Sequence, residues 1–223
     1  MTKHQHPDLD WNGNVPVARR FDDPYFSLSD GLAETRHVFL DGNGLPGRFG
    51  QGFHIAELGF GTGLNALVAL AAWREAGIDG PLLFTTFERF PMAAEDMARA
   101  LAVYPELLAE AQPILTALAV GKTRIDLPDL TFEIVVGDAR RTLPGWPGRA
   151  DAWFLDGFSP AKNPELWEPA LLAQVARHTR PGGTAATYSA AGHVRRALEA
   201  AGFTVERRPG FGRKRHMTAA RLA

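Results

Sequence analysis

Ala56-Glu57-Leu58-Gly59-Phe60-Gly61-Thr62-Gly63-Leu64-Asn65 is the stretch whose reading decides the fold. Before it, residues 53–58 form a short apolar run, the mark of a buried strand. After it, the spacing predicts a helix over residues 64–76, stopped by Gly77. Three glycines between a strand and a helix permit positive φ and let a ligand approach the backbone closely. In an open α/β sheet, ligands bind beyond the carboxyl ends of the strands, where this loop lies.

The same alternation continues outward. Strands are predicted at residues 82–87, 132–136, 152–155 and 184–188, with helices at 92–103, 106–118, 164–178 and 194–201. Two last strands, 204–207 and 217–221, have no helix between them and predict a terminal antiparallel hairpin. This pattern implies an α/β, Rossmann-like fold with a mostly parallel seven-stranded sheet covered on both faces. Residues 1–50 are rich in Gly, Asp, Asn and Pro and read as a small N-terminal β extension. Within it, Thr35-Arg36-His37-Val38-Phe39-Leu40 reads as a strand and Asp41-Gly42-Asn43-Gly44 as its turn. Residues 51–223 form the main domain, with no internal repeat and no clean linker.

With 223 residues, 45% hydrophobic and 22% charged, the composition is that of an ordinary globular chain. Cysteine is absent, which excludes disulfides, thiolate metal sites and a cysteine nucleophile, and suits a reducing cytoplasm. The expected location is cytoplasmic: the N-terminus has no apolar signal stretch, and no run is long enough to span a bilayer. The seven histidines show no metal-ligand spacing, so no metal is expected, and the five tryptophans read as packing residues. Net charge is −1, yet Arg195, Arg196, Arg207, Arg208, Arg213, Lys214, Arg215 and Arg221 face only Glu199 and Glu206 in the C-terminal region. A local phosphate contact and a solvated surface are both open readings of that segment.

The loop spacing, Gly59-x-Gly61-x-Gly63, is neither the dinucleotide pattern nor a P-loop, since it lacks the lysine. Glu57, two residues before the first glycine, suits a cationic, phosphate-free ligand, as S-adenosylmethionine would be. Gly59, Phe60, Gly61, Thr62, Gly63 and Asn65 are the expected cradle. Glu88 ends the second strand of the alternation, where an acid accepts from ribose hydroxyls. Gly137-Asp138 ends the third and places a carboxylate for the adenine amino group. Asp156 follows Phe154-Leu155 at the end of the fourth. It either takes a proton from an ammonium, holds a free amine in line for attack, or caps the following turn.

Several motifs carry a closer likeness: Tyr25-Phe26-Ser27, residues 31–39, the Glu57–Asn65 loop, and Phe87-Glu88-Arg89-Phe90-Pro91. To these add Leu155-Asp156-Gly157-Phe158-Ser159-Pro160-Ala161-Lys162-Asn163-Pro164, Arg180-Pro181-Gly182-Gly183-Thr184 and Gly210-Phe211-Gly212-Arg213-Lys214-Arg215. With them the chain resembles the tRNA 5-methylaminomethyl-2-thiouridine methyltransferases of the MnmC/MnmD type, over nearly its full length. The resemblance implies methyl transfer from S-adenosylmethionine to the amine of 5-aminomethyl-(2-thio)uridine at the tRNA wobble position. It makes Asp156 the catalytic carboxylate, beside the cofactor. It folds Phe26 and its neighbours over the cofactor, and turns Phe158, Pro160, Lys162, Arg213, Lys214 and Arg215 toward tRNA. Packing and turn roles remain open for Phe158 and Pro160, and a plain basic turn for the last three. Family members often carry an FAD-dependent oxidase; this chain resembles the standalone module, which implies a separate enzyme supplying the amine. Two other readings stand beside it. One is a methyl- or aminopropyltransferase acting on a small amine, and the other is an RNA-binding protein that keeps only the fold.

Overall fold

A computed structural model describes residues 6–27 and 30–223; residues 1–5, the start of the N-terminal reading, lie outside the described residues. The chain opens with a three-stranded antiparallel sheet, β1 (Leu9–Asn12), β2 (Val15–Ala18) and β3 (Asp23–Pro24). A short helix α1 (Gly31–Thr35) follows, with the Asp30 side chain accepting from the Ala33 N–H at its start. The chain then coils through a π-helical turn, Arg36–Leu40, and a 3-10 turn, Asp41–Asn43.

This corrects the strand expected at residues 35–40. Val38, Phe39 and Leu40 have strand-like side chains, but Leu32, Thr35 and Phe39 are buried at helical spacing against the main domain. Buried polar contacts then hold the coil. Asn43 Nδ2 donates to the carbonyls of Phe39 (2.9 Å) and Trp153 (3.3 Å), and Thr184 Oγ1 donates to Asn43 Oδ1 at 2.6 Å. Arg48 adds bonds to Asn43 O (2.9 Å) and Asp151 O (3.1 Å). Tertiary contacts thus override local propensity.

The main domain runs β4 (His54–Leu58), α2 (Leu64–Ala76), β5 (Leu82–Glu88), α3 (Ala94–Leu101), α4 (Leu108–Ala119), β6 (Arg124–Leu127), β7 (Leu130–Val136) and α5 (Ala139–Thr142). It continues with β8 (Ala150–Leu155), α6 (Pro169–Arg177), β9 (Thr179–Thr187), α7 (Gly192–Ala200), β10 (Phe203–Pro209) and β11 (His216–Leu222). The sheet has eight strands in the order β10-β11-β9-β8-β4-β5-β7-β6. The fold class is the expected one, and the terminal hairpin is present. The eighth strand is β6, an antiparallel edge strand on β7. The Pro181-Gly182-Gly183 segment, ahead of the strand expected at residues 184–188, lies inside β9. There the pairing with β8 slips from Ala150↔Thr179 to Ala152↔Thr184, an irregularity that absorbs the extra residues.

Side chains alternate across the sheet as strand geometry requires. On β8, Ala152 and Phe154 join the core under α2, α3 and α4, while Trp153 and Leu155 join the core under α6 and α7. From β4 the chain steps one way to β5 and β7, then returns to the other side of β4 with β8 and β9. The β4–β8 boundary is therefore the switch point, where a crevice opens beyond the strand ends.

Phe132, fully buried on β7, packs against the Phe60 and Phe84 rings at centroid distances of 5.4 and 6.1 Å. Phe132→Ala should cost about 3–5 kcal/mol of stability. Thermal unfolding should register a fall of roughly 10 °C in Tm.

Candidate functional site

The crevice is a cavity of about 620 Å³, lined by the glycine loop, the ends of β5, β7 and β8, and the N-terminal segment. Its floor is made where two chain segments touch. The Asp156 N–H donates to the Leu58 carbonyl at 3.0 Å, carrying the β4–β8 pairing one residue past the strands. A Cβ on Gly59 would stand 2.2 Å from the Asp156 carbonyl oxygen, and Gly59 has φ +89°. Only glycine fits there. Gly61 also has positive φ, and its bare Cα faces the Tyr25 ring.

Glu88 holds the loop in shape. Its Oε2 accepts from the N–H groups of Phe60 (3.0 Å) and Gly61 (3.4 Å), and its Oε1 from that of Phe90 (2.8 Å). It lines the cavity, with lone pairs still open to a hydroxyl-bearing ligand. Gly137 and Asp138 lie on the wall beyond β7. Asp138 caps α5 by accepting from the Arg140 N–H, and the Arg140 guanidinium at 2.7 Å holds its carboxyl below the usual range.

Asp156 is half-buried and lines the cavity. Desolvation pushes its carboxyl up to about 7, with the charge of Glu34 adding to the rise. The Asn65 amide, donating to Oδ2 at 2.6 Å, and the Lys214 ammonium pull the other way. Lys214 reaches in from the β10–β11 turn, pairs with Glu34 Oε1 at 2.7 Å, and lies 4.2 Å from the centre of the Tyr188 ring. Tyr188 donates to the Gly157 carbonyl at 2.7 Å.

The N-terminal segment supplies the facing wall. Phe21 stacks on Phe158 at 4.7 Å and Tyr25 meets it edge-on at 5.0 Å, while Phe26 lies against Tyr104 at 5.7 Å. Asp23 Oδ2 accepts from the Ser159 N–H at 2.9 Å.

Of the residues singled out from sequence, Gly59, Phe60, Gly61, Thr62, Asn65, Glu88, Gly137, Asp138, Asp156, Phe26, Phe158 and Lys214 converge on this cavity. Others do not. Glu57 is wholly buried on the α2 side of β4, behind Asn65, so direct contact with a cationic ligand gives way to an indirect role. Gly63 caps α2, with its Cα turned toward Phe60 and Met97. Pro160 stands off the wall, in the turn after β8. Lys162 turns to the N-terminal sheet instead, bonding the Asp22 carbonyl and pairing with the carboxylate of Asp23 at 3.5 Å. Arg213 and Arg215 are exposed at the hairpin tip and make no ion pair among the described residues. Sequence reasoning missed Glu34, Tyr188, Phe21 and Asp23; only folding brings them onto the cavity wall that Asp156 shares, from segments that carry no periodic signal toward it.

A family model described as S-adenosyl-L-methionine-dependent methyltransferase matches residues 105–223. The tRNA 5-methylaminomethyl-2-thiouridine biosynthesis bifunctional protein MnmC of Pseudomonas paraeruginosa (strain DSM 24068 / PA7) is 46% identical over 97% of this chain and 35% of its own length. The protein of the same name from Caulobacter sp. (strain K31) is 49% identical over 90% of this chain and 36% of its own. The chain thus spans about a third of the length of these relatives. Among solved structures, MNMC2 from Aquifex aeolicus superposes with a TM-score of 0.78 at 23% identity, covering 100% of this chain and 72% of that one. At that identity the likeness speaks for the fold alone.

The raised Asp156 carboxyl has a consequence for stability. In the unfolded chain this group titrates near 3.8, and in the folded chain near 7, so between those values the folded state binds more protons. Its contribution is present at low pH and is lost as pH rises toward 7. His54, depressed to about 4 by burial, acts oppositely below its ordinary value near 6.5. Asp156→Asn cancels the first effect and keeps the second. Urea midpoints of the unliganded protein between pH 5 and 8 should therefore favour the variant increasingly as pH rises. A gap that stays constant across this range would contradict the assignment.

Proposed function

The chain belongs to the family of S-adenosyl-L-methionine-dependent methyltransferases, and from that premise we propose that it methylates the primary amine of 5-aminomethyl-(2-thio)uridine at the tRNA wobble position, giving the 5-methylaminomethyl product. The supporting observation is similarity at 46% identity, running through 97% of the chain, to a protein named for 5-methylaminomethyl-2-thiouridine biosynthesis in tRNA.

The residues present fit the cofactor. Carboxylates outnumber Lys and Arg side chains on the cavity wall by seven to four, which favours a cationic ligand. Residues 59–62 of the glycine loop line the cavity beside these acids. The loop from Gly59 to Thr62, Glu88, Gly137 and Asp138 would hold it, and Tyr25 and Phe26 would cover it. When bound, it supplies an electrophilic methyl on a sulfonium sulfur.

Asp156 would do two things for the amine. As a carboxylate it takes the proton from the substrate ammonium, freeing the nitrogen lone pair. It then holds that nitrogen in line, which contributes most of the acceleration expected for a displacement that needs little further acid–base help. Glu34 and Tyr188 bound the same corner, while Phe158 and Phe21 exclude water. The exposed Arg213 and Arg215 at the hairpin tip, next to Lys214 on the cavity wall, suit phosphate contact just outside the amine site.

Incubation with S-adenosylmethionine and tRNA carrying 5-aminomethyl-uridine should yield methylated nucleoside on hydrolysis and mass analysis. Folded, cofactor-binding protein that leaves this tRNA unmethylated would refute the proposal. Asp156→Ala should retain cofactor binding while turnover falls by roughly 100-fold or more. Arg213→Ala with Arg215→Ala should weaken tRNA binding and lower the salt slope by about one for each phosphate no longer neutralised, as filter binding at graded salt would record.

A further inference from the structure

Behind Asp156 lies a small buried network that the reaction described above does not use. Thr35 Oγ1, at the end of α1, donates to Asn65 Oδ1 at 3.0 Å. Asn65, in the first turn of α2, donates from Nδ2 to Glu57 Oε1 at 2.9 Å and to Asp156 Oδ2 at 2.6 Å. Thr35, Asn65 and Glu57 are all buried. An amide has two faces, and only one suits this position. Reversed, its carbonyl oxygen would confront two carboxyl groups and its N–H groups would meet the Thr35 hydroxyl. The two carboxyl groups select the amide face, and the Thr35 hydroxyl, able to donate or accept, donates to the Oδ1 turned toward it.

We propose that Asn65 is a positioning residue: locked by Thr35 and backed by Glu57, it fastens Asp156 Oδ2 and leaves Oδ1 as the oxygen presented to the amine. Oδ1 makes no hydrogen bond among the described residues. The shared amide also couples the two acids. Burial raises Glu57 well above its ordinary range, which disfavours a second negative charge next to Asp156. The other groups facing Asp156 are Glu34 from α1, Lys214 from the β10–β11 turn, and Tyr188 after β9. Asp23 lies beyond Tyr188, and Glu88 beyond Glu57. None of these touches Oδ2, so the amide alone decides which oxygen is free.

The kinetic meaning of this network rests on the amine-methylation reading; its physical content does not. The direct test is a carboxyl carbon-13 titration of Asp156 in the cofactor-free protein. Removing a donor to the charged form makes that form less favourable, so Asn65→Leu should move the midpoint upward by about one unit, a tenfold change in proton affinity. Thr35→Val, which removes the donor that anchors the amide's Oδ1, should loosen the Nδ2 contact and shift it in the same direction, and Thr35→Ser should restore it. If Asn65→Leu does not fold, the two Thr35 variants decide the matter. Cofactor affinity by calorimetry should stay within about threefold of wild type in Thr35→Val, because valine keeps the shape that Thr35 presents to the cavity wall. An unmoved Asp156 midpoint in folded Asn65→Leu or Thr35→Val would overturn the proposal, as would a loss of cofactor affinity without a midpoint shift. A shifted midpoint in a protein that fails to methylate the tRNA amine would uphold the network and sink only the substrate assignment.

Discussion

The carboxyl ends of β4 and β8 approach so closely that nothing but bare backbone fits between them. The Asp156 carbonyl occupies the space a Cβ on Gly59 would need, and the Asp156 N–H is already bonded to Leu58. Much else in the site follows from this contact. Gly59 must adopt positive φ, which sends the loop away from β8 and over toward Glu88. The loop then re-enters as α2, which sets Asn65 in its first turn against both Glu57 and Asp156. The glycine loop and the residue that carries the Asp156 carboxyl thus meet in one backbone contact.

The four acids at the strand ends show how environment divides labour among like side chains. Glu57 is wholly buried, and desolvation pushes its carboxyl well above the usual range. Glu88 accepts from three backbone N–H groups and is structural as well as ligand-facing. Asp138 is clamped by Arg140 and stays ionised at all ordinary pH. Asp156, raised to about 7, is the one poised to exchange a proton near neutrality. A row of equivalent carboxylates in the sequence becomes four different reagents once burial and partners are assigned.

Much of this was legible before folding, because the signals were local. The Gly59–Asn65 loop lies between a buried strand and a helix whose stop, Gly77, takes the left-handed conformation its position requires. Asp156 sits at a strand end and could be placed by pattern. The failures were also physical. Residues 35–40 carry strand-like side chains, but the chain coils there, held by hydrogen bonds that join Asn43 to Trp153 and Thr184 and Arg48 to Asp151, more than a hundred residues away. Strand β6 buries only Ile125 among its four residues, too faint an alternation to notice. Glu34, Tyr188 and Phe21 come from three regions with no shared period, and only tertiary packing reveals them as walls of one cavity.

The mouth of the cavity is closed by partners far apart along the chain: Asp23 with Ser159, and Glu34 with Lys214, separated by 136 and 180 residues. Synthesis runs from the N-terminus, so the first wall exists long before its counterpart. A ribosome-bound intermediate already has the glycine loop yet lacks Lys214, and its crevice stands open on that side. That side of the cavity therefore closes only after Lys214 has been made, however well the earlier strands of the sheet have formed.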